Sequence, residues 1–327
     1  MHTLLVRAAA GDLADDRGTA APAGREARRL SFRAALSSRN PALQSRAAEA
    51  ARFDAEPRCL SLPSGIMTVT ARPLLSVKNL SVQFDSRDAI RDISFDLMAG
   101  ETLGLVGESG AGKSTLARAL VGLLRPARGQ VEFSGADLIG GDVRFPRVQR
   151  RYLQMVFQDP LASLNPRMTV ENAIAEPLKI FEPQSTAAAR HERVREMLER
   201  VGLDAQAAPR YPHEFSGGQC QRIAIARATI LRPKLLVCDE VVSSLDVSVQ
   251  GQVVNLLMDL QRDMGMAMLF ISHNLAVVRH VSHRVMVIYA GQLVEIASSD
   301  ALFSSPSHPY TKALLAAVPP NPLNPLS

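Results

Sequence analysis

Tryptophan is absent from this 327-residue chain, aromatic residues make up only 5% of it, and there are three cysteines. Cys59, Cys220 and Cys238 lie far apart and show none of the short spacings of a zinc site or a disulfide framework, which fits a reducing compartment. Long apolar runs are also missing. A run such as MAMLFI, Met266–Ile271, is far too short to cross a bilayer, so a soluble protein is expected, one that can still dock on a membrane protein. Nor is there a basic stripe. Of the net charge of +5, residues 1–66 supply +3 (ten Arg against seven Asp and Glu), and the remainder is near neutral, so nucleic acid is not implied as a partner. What is present is 46% hydrophobic sequence, enough for a substantial core in one large domain with appendages.

Residues 1–66 read differently from the rest. They are rich in Ala, Arg and Ser and contain no Lys, and their apolar residues keep no sustained period. No signal-peptide core precedes a cleavage site, and the acids Asp12, Asp15 and Asp16 argue against a transit peptide. The segment is expected to be a disordered extension or to lie upstream of the true start, with Met67 opening the stretch MTVTARPLLSVKNLSV.

From Leu74 the pattern sharpens. LLSVKNLSVQF and AIRDISFDLMAG read as paired strands, TLGLVG as a buried strand, and RYLQMVFQD as another. A helical region follows over about 160–220, in which Val194, Met197, Leu198 and Val201 share one helical face that Gly202 ends. KLLVCDE and AMLFISH are continuous apolar strands of the kind found inside parallel sheets. Between them QGQVVNLLMDLQRDMG is a helix with Leu256, Leu257 and Leu260 inward. RVMVIYAGQLVEI reads as a hairpin turning at Ala290-Gly291, and the proline-rich tail carries one short helix, YTKALLAAV. Strands alternating with helices predict an α/β fold with a mostly parallel sheet.

Directly after TLGLV stands GESGAGKST: Gly107, Glu108, Ser109, Gly110, Ala111, Gly112, Lys113, Ser114 and Thr115. The glycine spacing followed by Lys and Ser is that of a phosphate-binding loop. Glycines let successive N–H groups point inward, and the helix that follows aims its positive end at the same anion. Lys113 would reach the β- and γ-phosphates and the Ser114 hydroxyl would bind Mg²⁺. The plain alternative is a glycine-rich strand-to-helix turn that binds nothing. In KLLVCDE the acids Asp239 and Glu240 end a buried strand, where open α/β sheets place their ligands. Beside a phosphate loop, Asp239 reads as the Mg²⁺ holder acting through water and Glu240 as the group that polarises the attacking water.

FSGGQ, Phe215–Gln219, precedes the helix QCQRIAIARATI. By itself it is a Gly-Gly turn capped by Ser216. A second glycine nest is superfluous in a simple P-loop kinase or GTPase, and here residues 74–295 resemble the ATP-binding cassette (ABC) ATPase family. The resemblance implies a P-loop cassette with a RecA-like core of mostly parallel sheet, an antiparallel β-subdomain and a helical subdomain. It also implies two cassettes stacked head to tail, in which Ser216, Gly217, Gly218 and Gln219 of one face the γ-phosphate held by the other. Further matches follow in order: Phe84 where an aromatic ring stacks on adenine, Gln158 of VFQDP as the Q-loop residue facing Mg²⁺, water and a membrane partner, Asp246 of SSLD in the loop that crosses the dimer, and His273 of FISHN as the switch histidine on the γ-phosphate. The implied catalytic set is Glu240, His273 and Gln158, the implied metal set Ser114, Gln158 and Asp239, and the ligands ATP and Mg²⁺.

Departures from the family pattern are few. Val241 and Val242 replace the more usual residues after Glu240, Ser244 stands where Ala is usual, and Cys220 replaces a common Arg or Lys, which is expected to remove a charge near the dimer face. Fused membrane spans, long coiled coils, zinc hooks and a second cassette are not visible, which argues against an exporter half or a soluble cassette acting on DNA or ribosomes. FQDPLASLNPRMTV (Phe157–Val170) and SPSHPYTKALLAAVP (Ser305–Pro319) resemble the peptide-permease branch. That resemblance implies an importer ATPase of oligopeptides, dipeptides or related solutes, at the cytoplasmic face of the inner membrane. Its expected partners are an identical or paralogous cassette, permease subunits and, indirectly, an external solute-binding protein. The expected division is an N-terminal extension over 1–66, the cassette over 67–295 and a C-terminal extension over 296–327.

Overall fold

The computed structural model describes residues 72–84, 87–139 and 146–317; the expectations for residues 1–66 and for the end of the tail lie outside them. Among the described residues ten strands form two sheets. β1 (Leu75–Phe84), β2 (Arg87–Leu97), β4 (Arg128–Phe133) and β5 (Ala136–Asp137) make an antiparallel sheet in the order β2-β1-β4-β5. β3 (Thr102–Val106), β6 (Leu153–Val156), β7 (Leu235–Asp239), β8 (Ala267–Ile271), β9 (Arg284–Tyr289) and β10 (Gln292–Ser298) make the second, in the order β10-β9-β3-β8-β7-β6. All of its neighbours are parallel except β9 and β10, which form the expected hairpin with Ala290 and Gly291 both at positive φ. Two consecutive positive-φ residues are what a two-residue hairpin turn needs to match strand twist.

The helices are α1 (Lys113–Leu120), α2 (Arg147–Tyr152), α3 (Pro160–Ser163), α4 (Val170–Phe181), α5 (Ala187–Arg200), α6 (Gly217–Thr229), α7 (Val247–Met264), α8 (Leu275–Val281), α9 (Ser299–Ser304) and α10 (Pro309–Ala316). The parallel sheet is buried on both faces, and the alternation of its strands divides the core in two. Val156, Leu236, Cys238, Met268, Phe270, Val285 and Val287 face one layer, with apolar residues of α4 to α8. Leu103, Leu105, Leu235, Val237, Leu269, Ile271 and Ile288 face the other, with α1 and the antiparallel sheet. Buried Val194, Met197, Leu198 and Val201 occupy the face of α5 that their spacing predicts.

Two expectations need correction. RYLQMVFQD is not one strand, because Arg151 and Tyr152 close α2 and only Leu153–Val156 pairs with β7. The described part of the tail has two helices, not one, and α9 was hidden by its polar composition, SDALFS. Cys220 is fully buried, its thiol directed at the Pro212 carbonyl at 3.3 Å.

Candidate functional site

Four chain segments leave the C-terminal ends of adjacent parallel strands, the edge where open α/β sheets hold ligands. The phosphate loop follows β3, His273 follows β8, Asp239 ends β7 with Glu240 directly after it, and Gln158 follows β6. Sheet order therefore gathers residues up to 166 positions apart in sequence.

The loop's shape depends on two glycines. A Cβ on Gly107 would stand 2.2 Å from the Ile288 carbonyl oxygen, and one on Gly112 would stand 2.5 Å from Ile90 Cγ2 and 2.7 Å from the Ala89 carbonyl oxygen. Gly112 also carries φ 101° as the N-cap of α1. Both walls are too close for any other residue, which packs the loop tightly between strand ends. Glu108, Ser109 and Gly110 form its exposed rim, Ala111, Gly112 and Lys113 are buried, and Ser114 and Thr115 are half-buried.

Lys113 is only 5% exposed, and its ammonium donates to the carbonyls of Gly107 at 2.9 Å and Glu108 at 2.8 Å. Burial lowers its pKa, while the charges of Glu240 and Asp239 draw it back up in part. The Ser114 hydroxyl donates to Asp239 Oδ1 at 2.9 Å. Asp239 is 2% exposed; burial raises its pKa, aided by neighbouring Glu240 and opposed by the Ser114 hydrogen bond.

Glu240 takes φ 49°, a left-handed conformation that costs an ordinary residue about 1–2 kcal/mol. Three hydrogen bonds hold it there. Its N–H donates to the Ile271 carbonyl at 3.0 Å, and its own carbonyl accepts from the Ser243 N–H at 3.1 Å and hydroxyl at 2.8 Å. The strained turn swings its carboxylate out of β7, where it accepts from Gln158 Nε2 at 3.0 Å and lies 3.9 Å from His273 Nδ1. A base fixed between an amide and an imidazole beside a phosphate loop can orient a water molecule for attack on a phosphoryl group.

The remaining expected residues are placed apart. Phe84 is 48% exposed at the end of β1, so it is not a core residue. Ser216 caps α6: its hydroxyl accepts from the Gln219 N–H at 3.3 Å, and its own N–H donates to Gln219 Oε1 at 3.0 Å. Ser216, Gly217 and Gln219 are exposed. Gly218 backs onto α7, where a Cβ would stand 2.6 Å from Val249 Cγ1, and Asp246 is the exposed N-cap residue of that helix. Among the described residues no hydrogen bond joins this second glycine turn to the phosphate loop of its own chain. Sequence reasoning missed Tyr310, whose phenolic oxygen accepts from the Glu108 N–H at 3.1 Å. The only signal was the HPYTKALL stretch itself.

The family model described as "ABC transporter" matches residues 90–243, and a second, described as the C-terminal region of oligopeptide/dipeptide transporters, matches residues 294–324. The oligopeptide transport ATP-binding protein OppF of Haemophilus influenzae is 51% identical over 263 residues, 76% of this chain and 79% of that protein. The OppF of Escherichia coli is 50% identical over 270 residues, 78% of this chain and 81% of that protein. The chain belongs to the ABC transporter ATP-binding family. A putative peptide import ATP-binding protein of Brucella ovis is 52% identical over 259 residues, 78% of this chain and 81% of that protein. Among solved structures, cbiO1 of Clostridium perfringens, part of the transporter complex cbiONQ, shares the fold with TM-score 0.64 at 24% identity over 71% of this chain and 91% of that one. The ATP-binding cassette MJ0796, solved as a post-hydrolysis dimer with ADP and Pi, gives TM-score 0.63 at 25% identity over 69% of this chain and 98% of that one. As a family member the chain is an ABC-type ATPase. The cassette fold expected from the sequence is the fold observed, and the reading as a ribosome- or DNA-directed cassette is not favoured by relatives named for transport.

Proposed function

We propose that this chain is the ATP-hydrolysing subunit of an importer for peptides or related solutes, paired with an identical or paralogous cassette and docked at the cytoplasmic face of the membrane on a separate permease. The observation that carries the catalytic part is the setting of Glu240, held by its strained turn between Gln158 and His273 and beside the loop that carries Lys113. The cargo class rests on the named relatives and on the tail match. Among the described residues no helix is long and apolar enough to cross a membrane, and in this reading the transport path is supplied by the permease.

In this reading Gly107–Thr115 cradle the phosphates, and Lys113 turns from the loop carbonyls to the β- and γ-phosphate oxygens. Phe84 offers its exposed ring to the adenine. Ser114 Oγ and Asp239 Oδ1 are hard oxygens side by side and suit Mg²⁺; Gln158, whose amide nitrogen is bound to Glu240, has its amide oxygen left for the same ion. Mg²⁺ supplies neutralisation of phosphate charge when bound. Glu240 accepts the proton of the attacking water, and His273 holds the γ-phosphate side. Ser216, Gly217, Gly218 and Gln219 complete the partner's site from across the interface, with Asp246 beside them. Hydrolysis then removes the bridge between the two cassettes.

A docking surface adjoins the site. A groove of about 270 Å³ between β6 and the helical layer is lined by Leu123, Met155, Phe157, Ile180 and Phe181 among others. Leu123, Leu161 and Ile180 are exposed large apolar residues, uncommon on a surface that meets only water. Phe157 precedes Gln158, so a permease segment seated there would move the residue that touches Glu240.

The test is co-purification from native membrane together with peptide uptake in a strain lacking the chain. Recovery of a permease, and loss of uptake with Lys113→Ala, is the expected result. Recovery with ribosomes or DNA and no permease overturns it.

A further inference from the structure

The segment after β10 reads from the sequence as an appendage, yet it is fastened at several points around the phosphate loop. The Glu295 carboxylate accepts the N–H groups of Ser307 at 2.7 Å and His308 at 3.0 Å, fixing the turn into α10. His308 Nδ1 then accepts the Tyr310 N–H at 3.1 Å and caps that helix. Thr311 is fully buried, and Tyr310, Leu314 and Leu315 pack on the main core. The Tyr310 ring lies against that of Tyr289, with centroids 4.2 Å apart and planes inclined by 33°. Tyr289 ends β9 and follows Ile288, whose carbonyl is the wall against Gly107. From this platform the Tyr310 hydroxyl reaches the N–H of Glu108, the second residue of the loop, 202 positions earlier in the chain.

We propose that Tyr310 is a positioning residue for the phosphate loop, through which the docked tail holds the loop's exposed rim in its binding shape and so strengthens nucleotide affinity. This rests on Gly107–Thr115 being the nucleotide site. Glu108, Ser109 and Gly110 are exposed; the Glu108 carbonyl is held from within the loop by Lys113 at 2.8 Å and the Ala111 N–H at 3.1 Å, while its own N–H is held by Tyr310. When a loop is competent only part of the time, apparent affinity falls in proportion to the competent fraction. The bond to Tyr310 raises that fraction before the nucleotide arrives. It forms only when the tail is docked, which couples tail docking to nucleotide binding.

Tyr310→Phe removes the acceptor and keeps the ring on Tyr289, so the full-length variant should fold and melt close to the parent. Affinity is read with a fluorescent ATP analogue and Mg²⁺, and the loop amides by hydrogen–deuterium exchange of a peptide covering residues 107–110. The expected result is Kd raised by about 2- to 10-fold, the range for one neutral hydrogen bond, with faster exchange in that peptide. Unchanged Kd overturns the proposal, as does a raised Kd with unchanged exchange, because the effect would then not pass through Glu108. Lys113→Ala separates the two readings. If it leaves binding intact, the nucleotide site itself is misplaced; if it abolishes binding while Tyr310→Phe does nothing, only the role of Tyr310 fails.

Discussion

The side-chain amide of Gln158 donates to the Glu240 carboxylate at 3.0 Å, joining the segment beside the apolar groove to the residue best placed to act as base. This pair gives the first prediction. Glu240→Gln removes the proton acceptor but preserves shape, so ATP binding should persist while hydrolysis slows by about 10²–10⁴-fold. Size-exclusion chromatography with ATP and Mg²⁺ should show a trapped dimer. An ATPase rate like the parent's would show that the base is another group.

Ser216→Arg places a bulky cation on the exposed turn at the start of α6 and removes its capping hydroxyl, at a cost of about 1 kcal/mol to the helix. Because α6 is otherwise held by buried Cys220, Ile223, Ile225 and Ala226, the fold should survive. Nucleotide binding by the single chain should be retained while ATPase activity of the assembled transporter falls. An assembled complex with full activity would rule out a composite site.

Glu182 bridges two arginines. It accepts from Arg151 at 2.6 Å and from Arg193, which also donates to the Ile230 carbonyl at 2.8 Å. The cluster ties α2, just ahead of β6, to α5. Glu182→Ala leaves both guanidinium groups without their anion and should cost about 1–2 kcal/mol, allowing for the third of each arginine that remains in water. Urea unfolding measures it, and a midpoint equal to the parent's would contradict the assignment.

Glu295 gives a pH-dependent prediction. Burial alone would raise its pKa. The Thr311 hydroxyl nearby, the N–H groups of Ser307 and His308, and the His308 side chain outweigh that and leave it lowered. A carboxylate with a lowered folded-state pKa contributes fully above its unfolded value of about 4.3 and loses that contribution as pH falls through the folded value below it. The difference in melting temperature between the parent and Glu295→Gln should therefore be largest near neutrality and shrink below about pH 4. A difference independent of pH would mean that Glu295 acts by shape alone.

Much of the candidate site was legible because each part is local in sequence. The spacing of Gly107, Gly112, Lys113 and Ser114, the apolar strand ending in Asp239 and Glu240, and the Ser216–Gln219 turn each carry their chemistry in a few consecutive residues. The strands β7 and β8 were legible because burial on both faces demands unbroken apolar runs. Shorter or polar elements escaped: α2 interrupts what reads as one strand, and α9 carries too few apolar residues to display a period.

The sequence alone thus determined which residues could cradle phosphate, hold a metal or act as base, because those capacities depend on residue type and near-neighbour spacing. Their assembly was decided by the order β3-β8-β7-β6, which sets four loops side by side at one sheet edge. Only the tertiary structure could swing Glu240 toward Gln158 through a left-handed turn, send Cys220 inward, and bring the Tyr310 hydroxyl to the Glu108 amide. The reason is physical: these contacts join residues far apart in the chain, and a pair separated by 202 positions leaves no periodicity to read.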